Sequence, residues 1–184
     1  MAPSRIMFIR HAEKPGVPPS AEDEGVQVNG EIDKESLTVR GWQRAGALAK
    51  FFSANAELRP DVIFASKVAE GSKSRRPQET VTPLAELLGY GKGSGLVCKH
   101  AKDDVDALMD DATKREGKVL VSWEHHRIVD LVGKLPHAPQ SPQAWPDDRF
   151  DVVWIFDRAG PGWRFSQMPQ LLLAGDSPDP IATK

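Results

Sequence analysis

The chain contains one cysteine, Cys98, among 184 residues. An intrachain disulfide is therefore excluded, and so is a cysteine-rich zinc module; a reducing compartment is expected. No stretch approaches the roughly 20 apolar residues of a membrane-spanning helix, so no membrane association is expected. The amino-terminal apolar run, Ile6 to Ile9, is too short for the core of a signal peptide, which predicts a cytoplasmic protein. Charge of one sign is also lacking. Lys and Arg number 24 and Asp and Glu 26, a formal net charge of −2. Such a chain has no global field to draw it onto nucleic acid, although a local basic pocket remains compatible with it. No period repeats, which argues against a solenoid. No His-x-x-x-His or carboxylate–histidine spacing points to a metal, and no cofactor is expected.

What is present is ordinary globular composition: 40% hydrophobic and 27% charged residues. The length suits one domain spanning residues 1–184, with enough chain to bury a core. Arg5 to Ile9 reads as a buried strand, followed by a long loop over about residues 14–36 that is rich in Pro and Gly and acidic at Glu22, Asp23 and Glu24. A loop of that length suggests a lid. Thr38 is a plausible N-cap for a helix whose apolar face is Trp42, Ala45, Ala49 and Phe52. Val62 to Ala65 is a second strand, and Pro77 opens a helix lined by Val81, Leu84 and Leu88, with Gly89 at its end. Leu96 to Cys98 is a third strand. Asp103 and Asp104 start a helix carrying Val105, Leu108, Met109 and Ala112, closed by Gly117. Lys118 to Ser122 is a fourth strand, and Ile128, Leu131, Val132 and Leu135 mark a fourth helix. Asp151 to Phe156 and Trp163 to Ser166 read as a strand pair about a turn at Arg158 to Gly162. The tail, about 176–184, is expected to lie loosely on the surface.

Strand and helix alternate through most of the chain. That order predicts a three-layer α/β/α sandwich on a mostly parallel sheet, with an antiparallel edge. Ligands bind such sheets beyond the carboxyl ends of the strands. Three chemistry-bearing segments fall there: Arg10-His11, the loop ending in Arg75-Arg76, and Trp123-Glu124-His125-His126-Arg127. Arginine forks bind phosphate oxygens bidentately, and helix amino termini add backbone donors. A neutral imidazole in such a pocket is also a nucleophile toward phosphorus.

Arg10-His11-Ala12-Glu13-Lys14-Pro15 resembles the Arg-His-Gly signature of the histidine phosphatase superfamily, the phosphoglycerate-mutase-like proteins, branch 1 type. SLTVRGWQRAGALA is similar to the family's Leu-Thr, Gly and Gln-Ala helix, SRRPQETVTPLAELLG to its Arg-x-x-x-Thr helix, and KVLVSWEHHRI to its strand ending in a second histidine. The resemblance runs from about Arg5 to Leu135. It implies His11 as the phosphorylated nucleophile and Arg10 as a phosphate ligand. Arg76 is implied as the second phosphate arginine, four places before Thr80, with Arg75 as fallback. His125 would donate to the phosphoryl oxygens, with His126 as fallback. Ala12 stands where Gly is commoner, and Ser66 to Arg76 is longer than the family's usual spacing. The general acid has no clear counterpart; Asp103, Asp104, Glu22 and Glu24 are candidates, and the pocket is expected to hold no dedicated acid. The implied activity is a phosphatase acting on a phosphomonoester or phosphoprotein through a phosphohistidine. A phosphomutase and a non-catalytic phosphate-binding module are the alternatives. Glu13 and Lys14 are expected in a solvated loop, and specificity is assigned to the lid and the loops near Trp145.

Overall fold

Arg5–Arg10 (RIMFIR) sends its side chains alternately into two apolar layers. Ile6 and Phe8 enter one cluster, and Met7 and Ile9 the other. This is the pattern of a strand covered on both faces. In the computed structural model, which describes residues 2–183, this strand β1 lies inside a seven-stranded sheet. Met1 and Lys184 lie outside the described residues.

The elements follow in the order β1, α1 (Val39–Ala54), β2 (Val62–Ala65), α2 (Arg76–Leu87), β3 (Gly91–Lys92), β4 (Gly95–Val97), α3 (Val105–Ala112), β5 (Lys118–Trp123), α4 (His125–Val132), β6 (Val152–Ala159) and β7 (Gly162–Pro169). The sheet order is β3-β4-β2-β5-β1-β6-β7. Strands β1, β2, β4 and β5 are mutually parallel where they pair, whereas β6 and β7 add an antiparallel edge. Helices α1 and α2 supply Leu48, Phe52, Val81 and Leu84 to the layer under Met7 and Ile9. Helices α3 and α4 supply Leu108, Met109, Ile128 and Leu131 to the opposite layer. The three-layer α/β/α expectation therefore describes the molecule.

The arrangement positions the site. Strands β1 and β5 are neighbours, paired from Arg5↔Lys118 to Arg10↔Trp123, yet the helices that follow them lie on opposite faces. Their carboxyl ends thus flank a crevice where ligands bind in open parallel sheets.

Several local expectations change. The two-residue strand β3 precedes the expected third strand. Helix α3 stops at Ala112, where the Thr113 hydroxyl bonds back to Met109 O at 2.6 Å, rather than continuing toward Gly117. The β6–β7 hairpin is longer than expected and turns through Gly160 and Pro161 alone. Gly160 has φ of 58°, which a two-residue hairpin turn demands at its first position. The tail is not loose. Ile181 is buried, its N–H and C=O both bond the Gln167 amide, Asp179 O accepts from Arg149, and Asp176 enters a buried ion pair.

Candidate active site

His11 follows β1 directly, and its N–H still donates to Trp123 O at 3.0 Å, so the sheet register carries one residue beyond the strand. The side chain is 3% exposed. Its Nδ1 lies 2.8 Å from Ala12 O, a carbonyl that only accepts. Nδ1 therefore carries the hydrogen, and Nε2 keeps its lone pair. Burial, followed by the charges of Arg10 and Arg76, holds the imidazole well below its usual pKa, so it is neutral at pH 7.

The loop after His11 is clamped from two sides. Ala12 N–H donates to Thr80 Oγ1 at 2.8 Å, while that hydroxyl donates to Arg76 O at 2.7 Å. Thr80 thus joins α2 to the histidine loop and orients Arg76 one turn earlier. On the other side, Thr38 caps α1 by accepting from Gly41 N–H, and its own N–H donates to Glu13 O. A side chain at Gly41 would place Cβ 2.5 Å from Glu13 O, so the close approach requires glycine.

Glu13 is fully buried, contrary to the solvated-loop expectation. Arg44 forks onto it at 2.8 to 3.0 Å, and the same guanidinium bonds Asp176 at 2.7 and 3.0 Å and Gln170 at 3.0 Å. The signal was a charged residue, Arg44, on the apolar face of a helix; its partners lie 31 and 132 residues away.

A cavity of about 400 Å³ opens at the strand ends. Its walls include His11, Lys14, Glu35, Ser72, Lys73, Ser74, Arg76, Lys102 and Glu124. Arg76 is half-buried, 3.6 Å from Glu35, with Nη1 on Lys34 O and Nε without a partner. Burial lowers its pKa, and Glu35 opposes this. Arg75 instead faces Asp33 at 3.2 Å with its side chain half exposed, so Arg76 is the arginine brought to His11.

Arg10 and His125 are not among the residues lining this cavity and are tied to the 146–150 segment. Arg10 Nη1 donates to the carbonyls of Pro146, Asp147 and Arg149, and its guanidinium lies 3.8 Å over the Phe150 ring. Its Nε and Nη2 are out of solvent without hydrogen-bond partners. Burial lowers its pKa to about 10, against the carboxylates of Asp147 and Glu124, so the charge persists at neutral pH. His125 Nε2 lies 2.6 Å from Asp147 Oδ1. Glu124 Oε1 is 3.2 Å from Nδ1 but off the hydrogen-bond direction, leaving Nδ1 unpartnered. Burial and then Arg10 push His125 down to about 4, although Asp147 pulls the other way. His126 is exposed and stacks on His125 at 3.9 Å.

Asp147 is a residue that sequence reasoning missed. It binds both Arg10 and His125, and nothing in its neighbourhood marks it beyond the turn-forming run Pro146-Asp147-Asp148. The acid candidates need correction too. Asp103 pairs with Arg127 on the surface, Asp104 accepts from Ala101 N–H, and Glu22 to Glu24 are exposed and outside the cavity lining. The carboxylates in the cavity wall are Glu35 and Glu124. Glu124, His125 and His126 place ligand atoms within 4.8 Å of one another, so a carboxylate–histidine grouping does exist despite the spacing argument.

No family model and no curated protein matches the sequence. Solved structures do match in fold. The α-ribazole phosphatase of Shigella flexneri superposes at a TM-score of 0.53 and 12% identity, over 88% of this chain and 94% of that one. A phosphoserine phosphatase of Entamoeba histolytica, solved with phosphoserine, gives 0.50 and 13% over 88% and 94%. The provisionally assigned phosphohistidine phosphatase SixA of Agrobacterium tumefaciens gives 0.50 and 18% over 89% and 96%. At these identities the likeness is one of architecture, and it spans nearly the whole of each chain: this chain has the α/β fold of these solved phosphatases.

Proposed function

We propose that the protein is a phosphohydrolase that transfers a phosphoryl group to water through a phosphohistidine on His11. The observation that carries this reading is the tautomer of His11. With Nδ1–H held by Ala12 O, Nε2 is a buried, neutral nucleophile beside Arg76 in the wall of a cavity.

In the first step His11 Nε2 attacks phosphorus and the bond to the leaving oxygen breaks. The leaving group takes a proton from water or from a cavity carboxylate, Glu35 or Glu124. Arg76, with the unpartnered Nε and Nη2 of Arg10, supplies fixed positive charge for the equatorial phosphoryl oxygens. A bound dianion offsets the burial cost of a charged His125, which then takes a proton on Nδ1 and donates it as a hydrogen bond to the phosphoryl group, with Asp147 balancing Nε2. In the second step water attacks the phosphohistidine, His11 leaves as the neutral base, and inorganic phosphate is released. The substrate class is a phosphomonoester.

The test is chemical. Base quenching during turnover of a labelled aryl phosphate traps acid-labile, base-stable label on His11. His11→Ala traps none. Label on a serine or a carboxylate sinks the mechanism.

A further inference from the structure

Four cationic side chains, Lys14, Lys73, Arg76 and Lys102, line the cavity beside two carboxylates, Glu35 and Glu124. Arg76, with Arg10 and His125 from outside the lining, is assigned above to the phosphoryl group. Lys14, Lys73 and Lys102 remain in or at the cavity wall. Among the described residues, no carboxylate lies within 4.0 Å of these three ammonium groups. The two carboxylates of the cavity are engaged elsewhere, Glu35 toward Arg76 and Glu124 toward His125.

The wall nearest Lys73 is built rather than accidental. Ala69 and Ser72 exchange both backbone hydrogen bonds, 3.0 and 2.9 Å, across a tight turn in which Gly71 takes φ of 79°. The segment is anchored at its base by Lys67 N–H on His100 O and by the Gln78 amide on Ser66 O. Ser72, Lys73 and Ser74 leave this turn along the cavity. Ser72 is 7% exposed, and the hydroxyls of both serines are out of solvent without a partner. A buried hydroxyl without a partner is costly unless a ligand supplies one. Lys14 reports the same field: burial, then Arg10 and Arg76, lower its pKa.

We propose that Ser72, Lys73 and Ser74, with Lys14 and Lys102, form a second anion subsite, so that the substrate is a small phosphomonoester carrying a second anionic group. This rests on the phosphatase reading above. The volume, about 400 Å³, lies toward the small end of the roughly 300–1,000 Å³ range of small-molecule pockets. That favours a small dianionic or polyanionic ester over a phosphorylated protein.

The experiment compares three propanediol-derived phosphomonoesters of equal chain length whose far ends carry a hydroxyl, a carboxylate or a second phosphate. An aryl phosphate reports turnover as such. The charged ends raise kcat/KM at least tenfold over the hydroxyl, and their order identifies the second anion. Lys73→Ala and Ser72→Ala reduce that advantage at least threefold. Lys73 is exposed, so its variant tests the subsite without a core change. Equal kcat/KM for all three esters, an advantage that survives both variants, or preference for a phosphorylated protein overturns the proposal. A calorimetric arm needs no turnover: methylenebisphosphonate binds at least tenfold tighter than methylphosphonate, and Lys73→Ala narrows the gap. Absence of aryl phosphate hydrolysis overturns the phosphatase reading, while the calorimetric ratio still decides the subsite.

Discussion

Replacing Arg44 with Met removes the cation shared by Glu13 and Asp176 and keeps an apolar chain of similar length. Both carboxylates are nearly inaccessible, with side chains 1% and 3% exposed, and Arg44 itself is 2% exposed. The variant leaves two buried negative charges facing each other with only Arg40 nearby, 3.4 Å from Glu13 and 4.0 Å from Asp176. Breaking a buried pair by removing one partner costs about 3–5 kcal/mol. For a chain of this size about 2–4 °C of Tm accompanies each kcal/mol, so the loss is roughly 6–20 °C. Thermal unfolding followed by circular dichroism at pH 7 measures it. Because the pair is buried, the deficit persists at high salt, where surface pairs fade. The double variant Glu13→Gln/Arg44→Met recovers part of the loss, since one stranded charge is gone. Acid acts in the same direction. Burial raises the Asp176 pKa, but the hydrogen bonds from Arg44 and from Leu173 N–H outweigh it, leaving the group below the usual range. A depressed carboxylate stabilises the fold above its unfolded pKa, and that contribution is lost as pH falls through the folded value. A Tm of Arg44→Met within about 4 °C of the parent, or a deficit abolished by salt, would refute the reasoning.

Four more outcomes follow. Nitrogen NMR of labelled imidazole shows His11 as the neutral Nδ1–H form at pH 6, and a midpoint near the ordinary value of about 6.5 contradicts its electrostatics. His125, pushed to about 4, binds its proton less readily folded than unfolded, so stability falls as pH drops from about 6.5 toward 4, and acid-insensitive unfolding over that window contradicts it. Glu35→Gln and Glu124→Gln are tested against leaving groups of rising basicity: a general acid is worth roughly 100- to 10,000-fold for poor leaving groups, so the parent slope stays steep and unchanged in both variants if neither serves, and a flat parent slope that steepens in one variant identifies the acid. Chelators leave hydrolysis intact; a loss restored by a divalent ion assigns a catalytic metal to the cluster of Glu124, His125 and His126.

The elements and the His11 end of the site were legible where a local pattern suffices. Ile6 to Ile9 alternates between two layers, Pro77 sits in the first turn of α2, and Thr38 caps α1. Arg10-His11 and Arg76 with Thr80 four places later carry their chemistry in short spacings. What escaped depends on partners distant in sequence. Glu13 looks solvated until α1 brings Arg44 and the tail brings Asp176. Asp147 acquires meaning only when its segment folds over Arg10 and His125. Glu35 reaches the cavity because Arg75 N–H bonds its carbonyl, whereas the more conspicuous acidic run at Glu22 to Glu24 points to solvent. The tail reads as loose because its anchoring residue, Ile181, is a lone apolar residue among Pro, Asp and Ser.

The place of β1 in the sheet has a consequence for biosynthesis. The strand that delivers the candidate nucleophile is made before its sheet partners β5 and β6, which follow more than a hundred residues later. At roughly 5–20 residues per second, the amino-terminal strand spends seconds to tens of seconds without its neighbours. Its four central apolar residues stay without their sheet partners for that time, a condition that favours aggregation. The charges of Arg76 and His125 and the Phe150 ring, 6.3 Å from the imidazole, join His11 only as the chain grows through residue 150. A partly synthesised chain therefore carries the candidate nucleophile before the surroundings that hold it neutral, and pairings this distant in sequence slow folding.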